Sequence, residues 1–331
     1  MTATAPTDIN ASPHYRWKLL RAGPLRLDGG SMFGVVPRAL WSKAAEPDEI
    51  GRILLGHNCL LLERADGGTG PRRILIETGS GDPQKYGPKT RSIFGLTDQW
   101  IETAIAEAGL TCDQIEQVIV SHLHFDHAGG VTRAARNGEQ PDWIPPGAKP
   151  QAGLKLTFPN APIFVQRLEW EDALINRSVM TRTYLREHLD PIRDRVRLID
   201  APPPFEAGYV PKRDELPRSS VAQRQVEILP GIFVLLVPGH TWGQQTIRFT
   251  DERGQQIVFT PDLLPTANHV GAAYNMAYDV EPYMSTVCRH WFLEEAAAGD
   301  WLLVLDHEPH HPLQRVKRDG KGWYQLTPEV V

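Results

Sequence analysis

Apolar residues along the chain fall into short runs separated by turn-forming clusters, and the spacing inside each run distinguishes strand from helix. CLLLER (59–64) and RILIETG (73–79) are two such runs, divided by ADGGTGPR, whose glycines and proline predict a turn and therefore a hairpin. Between 98 and 108 the period changes. Ile101, Ala104, Ile105 and Ala108 recur at helical spacing, with Thr97 or Asp98 placed to cap the start and Gly109 to end it. QVIVSH (117–122) reads as a buried strand, and APIFVQ, IFVLLVPGH, QTIRFT, QQIVFTPD and WLLVLDH as further strands. A second helix starts at Pro282, carries Met284, Val287, Cys288 and Trp291 on one face, and closes at Gly299. Several strands per helix argues for two packed sheets with helices outside, not for a doubly wound parallel sheet.

Two stretches lack periodicity. Residues 132–160, rich in glycine, proline and polar groups, are expected to be an insertion or flap, and the proline-rich 201–219 a surface loop or lid. Residues 1–25 are expected to form a loose polar leader ahead of one domain spanning 26–331.

Composition narrows the function. In 331 residues with 41% hydrophobics there is enough apolar material for a large core. A formal charge of −5 without basic runs offers no electrostatic footprint for nucleic acid or for an anionic membrane surface, so the expected partner is a small molecule. No apolar run reaches membrane-spanning length, and the N-terminus lacks the charged start and apolar middle of a signal peptide; the expected location is cytoplasmic. Cys59, Cys112 and Cys288 are odd in number and far apart, which suits neither a disulfide framework nor a CxxC metal site.

The candidate chemistry sits at a strand end. VIVSHLHFDHAGG (118–130) places His122, His124, Asp126 and His127 directly after an apolar run, where loop side chains can converge on one point. Chance would rarely put three of the chain's 12 histidines within six positions. Imidazole and carboxylate form the ligand set that zinc and similar ions accept. Three more candidates end predicted strands: His240 in VPGHTWG, Asp262 in FTPDLL and His307 in LVLDHEP, the last beside His310 and His311.

SHLHFDHAGG, then PGHTWGQQT, then TPDLL, then a histidine after a final apolar strand resembles, in order and over about residues 53–308, the metallo-β-lactamase superfamily of αββα metallohydrolases. The resemblance implies an α/β sandwich of two mixed β-sheets with helices on the outer faces, and two zinc ions. It implies that His122, His124 and His240 hold one, that Asp126, His127 and His307 hold the other, and that Asp262 bridges them. Paired cations of this kind, about 3.5–4 Å apart, would share an activated water, so the nucleophile would be a metal-bridging hydroxide, with Asp126 able to orient it or shuttle a proton. No GxSxG elbow is present to suggest a serine nucleophile. Glu77, in IETGSG, stands where relatives usually carry aspartate and is a candidate to orient a ligand.

DGGSMFGVVPRALWSK (28–43), VQRLEWEDA (165–173), PDLLPTANH (261–269) and AYDVEP (277–282) resemble the branch of N-acyl-homoserine lactonases and methyl parathion hydrolase-like enzymes. That implies opening of a lactone ester, or alternatively hydrolysis of an aryl phosphotriester or another ester or thioester. One position departs from the lactonases, which carry a tyrosine three residues after the bridging aspartate; here it is Pro265, leaving Tyr278 and His269 as the nearest catalytic candidates. Met32, Phe33, Trp143, Phe205 and Trp242 lie in predicted loops and could line an apolar pocket or a homodimer contact. A glutathione thioesterase would want a more basic C-terminal region, a nuclease a basic face, and a flavodiiron protein a flavin module. A non-catalytic metal-binding protein is disfavoured because all seven ligand positions are filled.

Overall fold

A computed structural model describes residues 13–175 and 183–330. The first sheet is assembled from β1 (Tyr15–Asp28), β2 (Arg52–Arg64), β3 (Arg73–Ile76) and β4 (Gln117–Ile119). A small hairpin of β5 (Thr132–Ala134) and β6 (Leu154–Leu156) follows, and β7 (Ile163–Gln166) and β8 (Val196–Ile199) complete the sheet in the order β1-β2-β3-β4-β7-β8. The second sheet comprises β9 (Val226–Leu229), β10 (Ile232–Leu236), β11 (Gln245–Thr250), β12 (Gln256–Thr260), β13 (Leu302–Leu305), β14 (Leu313–Arg318) and β15 (Tyr324–Pro328). Its strands lie side by side with β12 and β13 parallel, as β3, β4, β7 and β8 are in the first. Both sheets are therefore mixed.

Strand alternation explains the layering. Leu60, Leu62, Ile74, Ile76 and Ile119 of the first sheet face Ile232, Val234, Ile247, Phe259 and Val304 of the second in one inner core. Their sequence neighbours point the other way. Cys59, Leu61, Leu75 and Val118 pack against the helix Ile101–Glu107, and Leu235, Val258, Leu303 and Leu305 against Cys288, Trp291 and Phe292 of the helix Pro282–Ala298. Strands covered on both faces read as unbroken apolar runs, which is why LLVL and QVIV carry no polar alternation. The result is the αββα sandwich that the resemblance implied.

Three expectations change. Residues 15–25 are not a loose leader but part of β1, paired with β2 from Tyr15↔Arg64 to Asp28↔Arg52, with a register shift between Arg21 and Pro24. Gly23 there has φ +97°, and an edge strand tolerates both this irregularity and a proline without an N–H. The helix expected between 98 and 108 begins at Ile101 after Trp100, with no side-chain cap. Asp98 instead pairs with Arg91 at 2.9 Å, and Thr97 accepts from the Gln99 N–H. The stretch 132–160 contains the β5–β6 hairpin, whereas 201–219 carries neither helix nor strand.

Candidate active site

Strands β3, β4, β10, β12 and β13 all run toward the same edge of the sandwich, so the loops that follow them meet there. After β4 the chain turns through Ser121 to His124 and enters the short helix Phe125–Ala128, which turns Asp126 and His127 back into the same space. The two glycines that follow allow close packing. A Cβ on Gly129 would lie 2.4 Å from the Ser80 carbonyl oxygen, and one on Gly130 2.2 Å from that of Thr78, so the HAGG turn sits backbone to backbone on the turn after β3.

Six of the seven expected ligands are joined by one unforeseen residue in two cages. His122, His124, His240 and Asp262 form one group, and His127, Asp262, Asp306 and His307 the other, each with its candidate ligand atoms within 4.8 Å of one another. Asp262 belongs to both. His240 Nε2 stands 3.0 Å from His124 Nδ1 and 3.0 Å from Asp262 Oδ2. In the second group His307 Nε2 is 3.5 Å from Asp262 Oδ1, and His127 Nε2 is 3.6 Å from Asp262 Oδ2. Asp126, the seventh, lies against that group, 3.6 Å from His307 Nε2 and 3.9 Å from His127 Nε2.

The imidazoles are held from behind. His307 Nδ1 donates to the Gly56 carbonyl at 2.9 Å, His240 Nδ1 lies 3.0 Å from Asp279, and His122 Nδ1 lies 3.0 Å from the Ser121 hydroxyl. His127 Nδ1 faces two carboxylates, Glu77 at 3.4 Å and Asp306 at 3.8 Å. Glu77 is buried and holds φ +69°, a conformation that a non-glycine residue keeps only when its surroundings enforce it. Its N–H donates to Ile119 and its carboxylate accepts from the Ser121 N–H, so it also fixes the loop that carries His122.

The carboxylates crowd into the cages negative charge that a cation would neutralise. Burial, aided by neighbouring histidines, holds His122 and His124 well below the usual histidine range, which keeps them neutral. For His240 burial pulls downward, but the Asp262 charge with hydrogen bonds to Asp262 and Asp279 lifts it to about 10. Burial and the charge of Asp262 push Asp306 well above the carboxylate range. The Nε2 atoms of His122, His127 and His307, with Asp262 Oδ1, are buried and have no hydrogen-bond partner. Each such orphan costs about 1–3 kcal/mol, and cations in the cages would satisfy them together. The donors present fit a pair of zinc-type ions.

A cavity of about 670 Å³ opens over the cages. Leu27, Met32, Phe94, Phe125, Leu185 and Met276 give it an apolar wall, and Tyr278 lines it along with Asp126 and Asp262. Burial raises the Tyr278 pKa, so the phenol stays protonated at neutral pH. His269 is elsewhere: fully buried, stacked on Phe33 at 5.1 Å, with its ring nitrogens engaged by the Thr266 hydroxyl and the Met32 carbonyl. It braces the loop rather than facing the cavity. Of the five residues expected to line an apolar pocket only Met32 reaches the wall; Phe33 is core, Trp143 pairs with Leu154, Phe205 lies against Tyr209, and Trp242 is half-buried away from the cavity. Pro265 contributes its carbonyl, which accepts the His307 N–H at 3.1 Å. Sequence reasoning missed Asp306, although it adjoins His307, and missed Asp279 within AYDVEP.

Two packed sheets sheathed by helices, with His/Asp cages at one edge, define an αββα metal-dependent hydrolase. The chain belongs to the metallo-beta-lactamase superfamily, whose family model matches residues 52–307. It is 26% identical over 244 residues, 70% of this chain and 73% of the relative, to an N-acyl homoserine lactonase of Bacillus thuringiensis. A probable metal-dependent hydrolase from Staphylococcus aureus shares the fold at TM-score 0.74 and 24% identity, covering 97% of this chain and all of that one. A dizinc quorum-quenching lactonase solved with a product shares it at TM-score 0.65 and 18% identity, covering 97% and 96%. Among the described residues no helix is long and apolar enough to cross a membrane.

Proposed function

We propose that this protein is a dinuclear zinc hydrolase that opens the lactone ring of N-acyl homoserine lactones. The observation that carries this reading is the pairing of two cages through Asp262 with a cavity walled by aliphatic and aromatic side chains. The first half suits hydrolysis and the second suits an acyl tail. Lactonase names among the relatives support the same substrate class.

His122, His124 and His240 would hold one ion, and Asp126, His127 and His307 the other, with Asp262 shared and Asp306 behind the second. Bound there, the ions would lower the pKa of water and polarise the ester carbonyl. The chain supplies the rest. Asp126 accepts the proton of the attacking water, which is the general-base task its position against the second cage allows. Tyr278, protonated and on the cavity wall, donates to the leaving alkoxide in place of the tyrosine that Pro265 displaces. Leu27, Phe94 and Phe125 exclude water from the acyl chain and align the ring.

The test is a steady-state comparison of zinc-loaded protein on N-acyl homoserine lactones of increasing chain length and on an aryl phosphotriester. The lactones should be preferred, with kcat/KM rising with chain length. Preference for the phosphotriester would move the function to that alternative.

A further inference from the structure

The helix Arg167–Ile175 lies outside the sandwich, yet its Glu169 is fully buried. Glu169 Oε1 accepts the Leu123 N–H at 2.9 Å and the Tyr184 hydroxyl at 3.0 Å, and Oε2 accepts the Gly243 N–H at 3.3 Å. These donors come from three separate parts of the site. Leu123 stands between His122 and His124, and Gly243 follows three residues after His240. The Tyr184 ring packs 5.0 Å from that of His124, and its neighbours Thr183 and Leu185 line the cavity. Gly243 makes the approach possible: a Cβ there would fall 2.3 Å from the Glu169 backbone nitrogen.

We propose that Glu169 is a positioning residue that clasps both histidine loops and ties them to the cavity wall, so that metal retention in the His122/His124/His240 cage and substrate fit both depend on it. The inference rests on reading that cage as a metal centre, and it extends that reading to a residue that touches neither metal nor substrate. The physical reason is the number of donors. A carboxylate offers lone pairs enough for all three, and such charge-assisted bonds hold loops more firmly than neutral ones. Glutamine has the same shape, but one oxygen becomes an NH2 that must face an N–H or a hydroxyl donor.

Metal loss comes first in the test, because it needs no substrate. Cobalt-loaded Glu169→Gln should show an altered visible spectrum and should release metal to a competing chelator roughly 10- to 100-fold more readily than the parent, the range seen when a ligand's outer support is removed. Tyr184→Phe should keep the parent's metal retention while raising KM for the lactone with kcat retained. Gly243→Ala, which pushes the loop off Glu169, is the second variant should Glu169→Gln fail to fold, and it predicts the same metal loss. Parental spectrum and retention in Glu169→Gln, with only a lower Tm, would make Glu169 a merely structural carboxylate and overturn the proposal. An unchanged KM in Tyr184→Phe would overturn the link to the cavity wall. A failed lactonase reading would leave the cobalt measurements standing.

Discussion

Asp279 offers the clearest measure of how the ligand cage is supported. It is buried, its Oδ1 lies 3.0 Å from His240 Nδ1, and its Oδ2 accepts the Met276 N–H at 3.2 Å. Asp279→Ala leaves the imidazole N–H without an acceptor and the ring free to turn its Nε2 lone pair out of the cage. A hydrogen bond to a charged partner contributes about 1.5–3 kcal/mol. At roughly 1.4 kcal/mol per decade this is on the order of a 10- to 100-fold loss in zinc affinity. Asp279→Asn keeps a neutral oxygen for the same N–H, worth about 0.5–1.5 kcal/mol, and should fall between the two. Competition with a chromophoric chelator at fixed pH gives the affinities, and denaturant melts of the metal-free proteins separate any loss of folding through Met276. The expected order is parent, then Asn, then Ala. If Asp279→Ala binds zinc within about twofold of the parent while its fold weakens, Asp279 supports the loop and not the ligand, and the orientation argument is wrong.

Other substitutions test other parts of the site. Tyr278→Phe should lower kcat by at least about 100-fold at unchanged metal content, the lower range of general-acid contributions; parental kcat would remove Tyr278 from the chemistry. Phe94 packs at a tilt against Phe125, with ring centroids 4.9 Å apart. Phe94→Ala should therefore raise KM for long-chain lactones and spare short ones, since each buried methylene contributes about 0.8 kcal/mol. Trp291 is fully buried on the sheet-facing side of the helix Pro282–Ala298, with the Arg224 guanidinium 4.3 Å above its ring. Its replacement by alanine should cost about 3–5 kcal/mol in chemical denaturation.

How much was legible in the sequence depends on how local each signal is. The HxHxDH run and its buried strand lie within the eleven residues 117–127, and the order of His240, Asp262 and His307 after apolar runs needed only counting, so these positions could be picked out before any fold was known. Asp306 was hidden for the opposite reason. Its role comes from facing His127 Nδ1 across the sandwich, and a carboxylate at a strand end carries no mark of that. His269 was misjudged because a loop histidine looks available until Phe33, Thr266 and Met32 are seen to enclose it. β1 was obscured by the Gly23–Pro24 break, a strong turn signal that edge position overrides. The exposed, charged faces of β8 and β14 blurred the alternation that identifies strands. Glu169 stood in a quoted segment, but only the meeting of three loops gives it meaning.

The central claim is that lactone opening requires both cages filled. Metal-free protein should be titrated with zinc while acid release from a long-chain N-acyl homoserine lactone is followed, with His124→Ala as control. The account predicts that activity rises to a plateau at two zinc ions per chain and is absent from the variant. Full activity without metal or at one ion per chain, or no lactone opening at two, would contradict it.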